Sequence, residues 1–217
     1  MMREAAELTG VVLYAQPVGE YDRRLVILTR ERGKITAFAR GARRPKSPFI
    51  AVTNPFVFAR FSLYEGRDSY TLAHAEAADY MTELASKMPG VLYGYYFLEL
   101  ASYFGREGLE AGESVNLLYA ALRALIRGQM SPELVRRVYE LRTLMINGEY
   151  ALPESGAGMD GSAWYAVRYT VISPVSKLFS FTLSEEAERS YTAEVSSAFR
   201  RTVDKTFKSL AVIDKMR

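Results

Sequence analysis

The chain has no cysteine, a single histidine, His74, and one tryptophan among its 217 residues. Without thiols it can form neither a disulfide nor a thiolate metal site, and one imidazole offers little to zinc, so no cofactor is expected. Long apolar runs are missing too: the longest uncharged one, Met88 to Leu98, stops at Glu99, well short of a membrane span. Met1-Met2-Arg3-Glu4-Ala5-Ala6-Glu7 is too acidic and too interrupted for a secretory signal, so the chain reads as cytoplasmic, with no membrane partner. The most informative absence is local. From Arg32 to Tyr64 there is no Asp or Glu, yet the window holds Arg32, Lys34, Arg40, Arg43, Arg44, Lys46 and Arg60. Those 33 residues carry +7 while the whole chain carries +3. Cations without neighbouring carboxylates suit a polyanion, because phosphate binding is driven largely by release of condensed counterions.

What is present divides into two compositional halves. The first 80 residues are rich in β-branched and aromatic residues and are punctuated by Gly and Pro, which predicts strands near 8–16, 23–30, 34–40, 55–64 and 69–77. Gly33 and Glu65-Gly66-Arg67-Asp68 supply turn residues between pairs of them. Five strands in this span predict a small closed barrel. After Tyr80 the apolar spacing becomes helical, first around Leu92, Tyr95 and Tyr96, then at Leu117, Leu118, Ala121, Leu122 and Leu125. Ser131-Pro132-Glu133 reads as an N-cap, a first-turn proline and a first-turn acid, and the helix it opens should stop at Asn147-Gly148. Residues 154–161 form a glycine-rich break. Beyond it the pattern predicts a helix near 162–172, a connection through Pro174 and a last helix capped at Ser184 and reaching about Phe207.

The segment Phe38 to Pro48 places Arg40, Arg43, Arg44 and Lys46 on a strand end and on a loop that Gly41, Pro45 and Pro48 keep irregular. Such a loop can follow a phosphate backbone; it can equally be a solvated basic loop. Strand alternation puts Lys34, Thr36, Phe38 and Arg40 on one face of the third strand and Ile35, Ala37 and Ala39 on the other. A cationic face with an aromatic ring suits single-stranded nucleic acid, where bases stack and cations track phosphates, although core packing or a domain contact would also account for Phe38. Arg60 alternates with Phe56 and Phe58 and repeats the theme. Arg23 and Arg24 are further candidates, with Glu20 and Asp22 close enough in sequence to neutralise them. Gly156, Gly158 and Gly161 formally match a dinucleotide fingerprint, but no strand precedes them, and a connector is the better reading. His74 reads as a structural strand residue, and no nucleophile, base or paired-carboxylate arrangement is present, so the chain does not read as an enzyme.

In order along the chain, Gly10-Val11-Val12-Leu13, Gly19 to Leu25, Thr29 to Ile35 and above all Ala39-Arg40-Gly41-Ala42-Arg43-Arg44-Pro45-Lys46-Ser47 resemble the bacterial RecO family of recombination mediators. Leu63-Tyr64, Tyr70-Thr71-Leu72, Tyr139 to Arg142, Lys177 to Phe181 and Phe207 to Leu210 extend the likeness. The resemblance implies an α+β multidomain chain, with an OB-fold β-barrel over residues 1–80 followed by an all-α helical domain over 81–217. It further implies binding of single- and double-stranded DNA, annealing of complementary strands, and partnership with RecR in helping RecA replace single-strand binding protein (SSB). A nucleoid-associated location in the cytoplasm goes with that role. Many family members carry a four-cysteine zinc module after the helix that ends near Leu144; here residues 153–161 stand in its place, so zinc is not carried over. The SSB C-terminal tail, acidic with an apolar end, would suit an aliphatic pocket rimmed by cations. Arg127, Arg136, Arg137 and Arg142 are the nearest candidates for that rim, against an ordinary solvated helix face. Two alternatives stay open: an OB-fold protein acting on RNA, and a nucleotide-dependent enzyme using the glycine-rich loop.

Overall fold

Apolar residues recur at every second position in the first third of the chain, and the strands they predict are present. In the computed structural model, which describes residues 4–156 and 158–216, β1 (Ala6–Val18), β2 (Asp22–Thr29), β3 (Gly33–Ala39), β4 (Phe58–Glu65) and β5 (Tyr70–Asp79) form a closed barrel. Most of the N-terminal segment compared above with a secretory signal is therefore described, but Met1–Arg3 are not, nor is Ala157 of the glycine-rich loop.

The strand order around the barrel is β1-β2-β3-β5-β4, antiparallel except for the β3–β5 pair. This is the OB-fold arrangement. Leu8, Val12, Leu25, Ile27, Ile35, Ala37, Ala39, Ala59, Phe61, Leu63 and Leu72 fill the interior. The period of two fixes the register, because slipping one residue would turn this apolar set outward and bring Lys34, Arg60 and Ser62 in. Between β3 and β4 the chain makes a one-turn helix, α1 (Phe49–Val52), which periodicity could not announce.

The chain divides into two compact units. The first runs to Thr82 and also takes in Leu98–Val115; the second comprises Glu83–Phe97 and Asn116–Arg217. In the first unit the segment around Arg106 lies against the β2–β3 turn: the Lys34 amide donates to the Arg106 carbonyl at 3.0 Å and the Gly108 amide to the Arg32 carbonyl at 3.0 Å. Gly33 is required there twice over. Its φ of +63° lies in the left-handed region, and a Cβ on it would sit 2.0 Å from the Arg106 carbonyl oxygen.

The helical region contains α2 (Gly90–Phe104), α3 (Gly112–Arg127), α4 (Pro132–Ile146), α5 (Gly161–Ile172), α6 (Glu185–Thr202) and α7 (Lys208–Lys215). α4 starts as its sequence demands: the Ser131 hydroxyl accepts from the Leu134 amide at 3.1 Å, Pro132 takes the first turn, and Asn147 ends the helix. Leu134, Val135, Val138, Leu141 and Leu144 are buried. α6 begins at its expected cap, with the Ser184 hydroxyl accepting from Ala187, but it stops at Thr202 rather than near Phe207. Phe207 is 1% exposed and packs edge-on against Tyr96 with ring centroids 5.3 Å apart, so the chain breaks at Val203 to deliver that ring to the core. No helix among the described residues is long and apolar enough to cross a membrane.

Candidate nucleic-acid interface

Cross-strand register decides which outward side chains become neighbours. On the outer barrel surface Phe38 of β3 stands opposite Arg24 of β2 and, on its other side, opposite Thr71 of β5. Arg24 in turn faces Gln16 of β1, and Thr71 faces Tyr64 of β4. One row, Gln16-Arg24-Phe38-Thr71-Tyr64, therefore runs across all five strands. Beside it, Tyr14, Val26 and Thr36 form a parallel row. Tyr64 is 42% and Tyr14 53% exposed, so rings as well as cations are presented to solvent. The sequence singles out Phe38 and Arg24 as candidates but not Tyr14, Gln16, Tyr64 or Thr71, because a single strand's alternation says nothing about which residue of another strand it will meet.

The basic loop after β3 is anchored to the β1–β2 hairpin. The Gly41 amide donates to an Asp22 carboxylate oxygen at 2.7 Å, the Arg43 amide to the Tyr21 carbonyl at 2.8 Å, and the Arg43 guanidinium to the Glu20 carbonyl at 3.2 Å. The Arg44 guanidinium lies 5.3 Å from the Tyr21 ring centroid, a cation–π distance. Asp22 is thus engaged by a loop amide and does not pair with either adjacent arginine. The outcome is a fixed loop with Arg43, Arg44 and Lys46 exposed on it, and with Arg40 exposed where β3 ends.

The ten N-terminal candidates sort by what already holds them. Arg24, Arg40, Lys46 and Arg60 have no hydrogen-bond or ion-pair partner among the described residues. Arg60 stands apart from the row, facing Thr9 and Glu76 on the neighbouring strands. Arg23 is an internal tie: its guanidinium donates to the Ile50 carbonyl at 3.2 Å, the Thr53 hydroxyl at 2.7 Å and the Asn54 side-chain Oδ1 at 2.9 Å, fastening α1 to β2. Arg32 pairs with Glu65 at 2.6 Å, donates to the Tyr70 hydroxyl at 2.8 Å and lies over that ring. Lys34 donates to the Ser102 carbonyl at 2.6 Å. The row and the loop therefore present Arg24, Phe38, Arg40, Arg43, Arg44 and Lys46, while Arg23, Arg32 and Lys34 are occupied within the fold.

The helical candidates look different from a solvated face. Glu140 is fully buried and accepts from the Tyr96 hydroxyl at 2.6 Å, Arg136 Nε at 2.8 Å and an Arg137 guanidinium nitrogen at 2.9 Å. Burial, reinforced by Glu140, pushes the Tyr96 phenol far up from its usual range, so it remains a donor. Both arginines also pair with Glu133, at 3.6 and 3.0 Å. Arg142, only 7% exposed, donates to the Thr170 and Val171 carbonyls at the end of α5, where its charge complements the negative end of the helix dipole. The solvated-face expectation for these three is overturned, since each cation is drawn inward by carboxylates or carbonyls. Arg127, at the end of α3, remains exposed.

The element that leads into the glycine-rich loop is a helix, α4, and not a strand, and the loop's chemistry is directed inward. A Cβ on Gly156 would lie 2.6 Å from the Trp164 ring. The Asp160 carboxylate accepts from the Ser162 and Ala163 amides at 2.9 and 3.0 Å, taking the α5 N-terminal donors that a phosphate would need. His74 is an exposed residue of β5 opposite Ser62, on a strand face.

Residues 2–81 match the family model for the N-terminal domain of recombination protein O. Among known proteins, the chain is 34% identical over 139 residues to a protein of Alkaliphilus metalliredigens, a match covering 64% of this chain and 56% of that one. It is 37% identical over 147 residues to one of Streptomyces griseus, covering 64% and 59%. A third, from Moorella thermoacetica, is 33% identical over 139 residues, covering 64% and 51%. All three are named DNA repair protein RecO, and the matches span little more than half of each relative's length.

Proposed function

We propose that the chain, whose N-terminal domain matches the RecO family model and which is 34–37% identical to RecO proteins over 64% of its length, is a RecO-type, non-enzymatic DNA-binding mediator of recombinational repair. The observation that carries this reading is the outer row through Arg24 and Phe38 beside an anchored loop of exposed cations. Bases of a single strand stack on Phe38 and the flanking tyrosines, while Arg40, Arg43, Arg44 and Lys46 follow the phosphates. Base contacts on the row need unpaired bases; the loop, which touches only backbone, serves single and double strands alike.

Annealing follows from the same charges. Two strands repel through their phosphates, and cations that neutralise part of that charge let complementary bases meet. In this role the protein works with RecR and with the SSB tail to favour RecA loading. Those partners rest on the family relation alone, and Arg127 is the one rim candidate left on an open surface.

The test is annealing of complementary oligonucleotides coated with SSB, comparing wild type with Arg43→Glu/Arg44→Glu. The double variant should anneal at least about tenfold more slowly, given the steep dependence of strand binding on cation number. Equal rates would remove the loop from the mechanism, and no annealing by wild type would remove the role.

A further inference from the structure

Immediately beside the Arg24–Phe38 pair the outer face of β2 and β3 sinks into a cleft of about 260 Å³. It is lined by Arg24, Lys34, Thr36, Asp68, Ser102 and Glu107, together with Val26 and Ile35. Its far wall belongs to the Leu98–Val115 segment, held there by the bridge between Gly33 and Glu107 and by the Lys34–Ser102 hydrogen bond of 2.6 Å. Its remaining acid, Asp68, sits in the β4–β5 turn that the Gly66 amide closes on the Ser69 carbonyl at 2.8 Å.

Two cations and two carboxylates line one cleft, yet Arg24, Asp68 and Glu107 pair with nothing among the described residues. Opposite charges that face a common space without meeting leave room for a group that bridges them. A phosphate is a poor occupant, because the two carboxylates oppose it and the loop nearby offers cations alone. A nucleobase suits the cleft better: it is neutral, of the right size, and carries donors and acceptors on one edge.

We propose that this cleft is a nucleobase pocket that seats one unstacked base of the strand lying on the Phe38 row, and that it favours guanine. The proposal rests on the DNA-binding reading above and adds a base preference to it. Guanine combines the O6 and N7 acceptors that Arg and Lys recognise with the N1–H and N2–H₂ donors that a carboxylate accepts. Arg24 supplies the first set of contacts, and Asp68 and Glu107 the second, with Lys34 holding the cleft's far wall through Ser102. Thymine, with a single N–H, satisfies at most one carboxylate. Because the base must leave its stack, the pocket also favours single strands over duplex.

The experiment measures binding of the full chain to a short oligothymidylate and to the same oligonucleotide with one guanine or one inosine, which lacks the N2 amine. Wild type should prefer the guanine oligonucleotide by about five- to tenfold, the value of one well-made base contact, and inosine should lose most of that preference. In Asp68→Asn and in Glu107→Gln the preference should shrink, while affinity for plain oligothymidylate should not fall, since a negative charge beside a polyanion has been removed. Loss of affinity for both oligonucleotides alike would indicate structural damage in place of lost base reading and would count against the pocket. Equal wild-type affinity for guanine and thymine strands overturns the pocket and leaves the DNA-binding reading standing. No binding of any strand overturns both.

Discussion

Seven cations in one acid-free window look equivalent in sequence, but the fold assigns them different work. Arg32 is paired with Glu65 and Lys34 is bonded to Ser102, whereas Arg40 and Lys46 are uncommitted among the described residues. Replacing Arg32 or Lys34 by Ala should therefore leave single-strand affinity within about threefold of wild type, through loss of general field alone. Phe38→Ala should weaken it by roughly tenfold or more, since base–aromatic stacking is worth about 1–3 kcal/mol per base. Fluorescence anisotropy with a labelled oligonucleotide checks both, and a Phe38→Ala affinity equal to wild type would remove the ring from the site. Arg23 behaves as a stability residue. Arg23→Ala removes the charged donor shared by Ile50, Thr53 and Asn54 and frees α1, and should cost about 1.5–3 kcal/mol in urea unfolding with little direct effect on DNA contacts.

Elements were legible wherever their signals are local. The Ser131-Pro132-Glu133 opening and the Asn147-Gly148 stop define α4 to within a residue, because capping depends only on neighbours. The five strands were legible for the same reason, each carrying its own alternation. α1 was not, being a single turn held by Arg23 from another strand, and neither was the break after Thr202, which a distant ring, Tyr96, imposes on Phe207. The same limit concealed the interior role of Arg136 and Arg142 on α4. Glu140→Ala should destabilise the second unit by about 3 kcal/mol, since it removes the buried carboxylate and leaves Arg136 and Arg137 only the less buried Glu133. The buried phenols give that unit an alkaline limit. Tyr96, Tyr139 and Tyr191 have folded pKa values raised chiefly by burial above the ordinary value of about 10. The stability this provides is complete below pH about 10 and is lost as pH rises beyond it, because the unfolded phenols ionise first. Urea midpoints should be level through neutral pH and fall above about pH 10; a midpoint that stays level there would contradict the burial.

For the whole molecule, composition and order already pointed to a candidate nucleic-acid surface in the first third of the chain, and the resemblance implied an OB barrel to carry it. Register supplied what they could not. It put Gln16, Arg24, Phe38, Thr71 and Tyr64 in one line, and it placed Arg60 opposite Glu76, away from that line. The central claim is that a single strand is held by that row and by the loop from Arg40 to Lys46, chiefly through phosphate charge. The most direct test is the affinity of wild type and of Arg40→Glu/Arg43→Glu/Arg44→Glu for a labelled single strand across a series of salt concentrations. If four to six cations contact phosphate, log affinity should fall against log salt with a slope of roughly −3 to −4 for wild type, and the variant's slope should be shallower by about 2. A flat wild-type slope, or the same slope in both proteins, would contradict it.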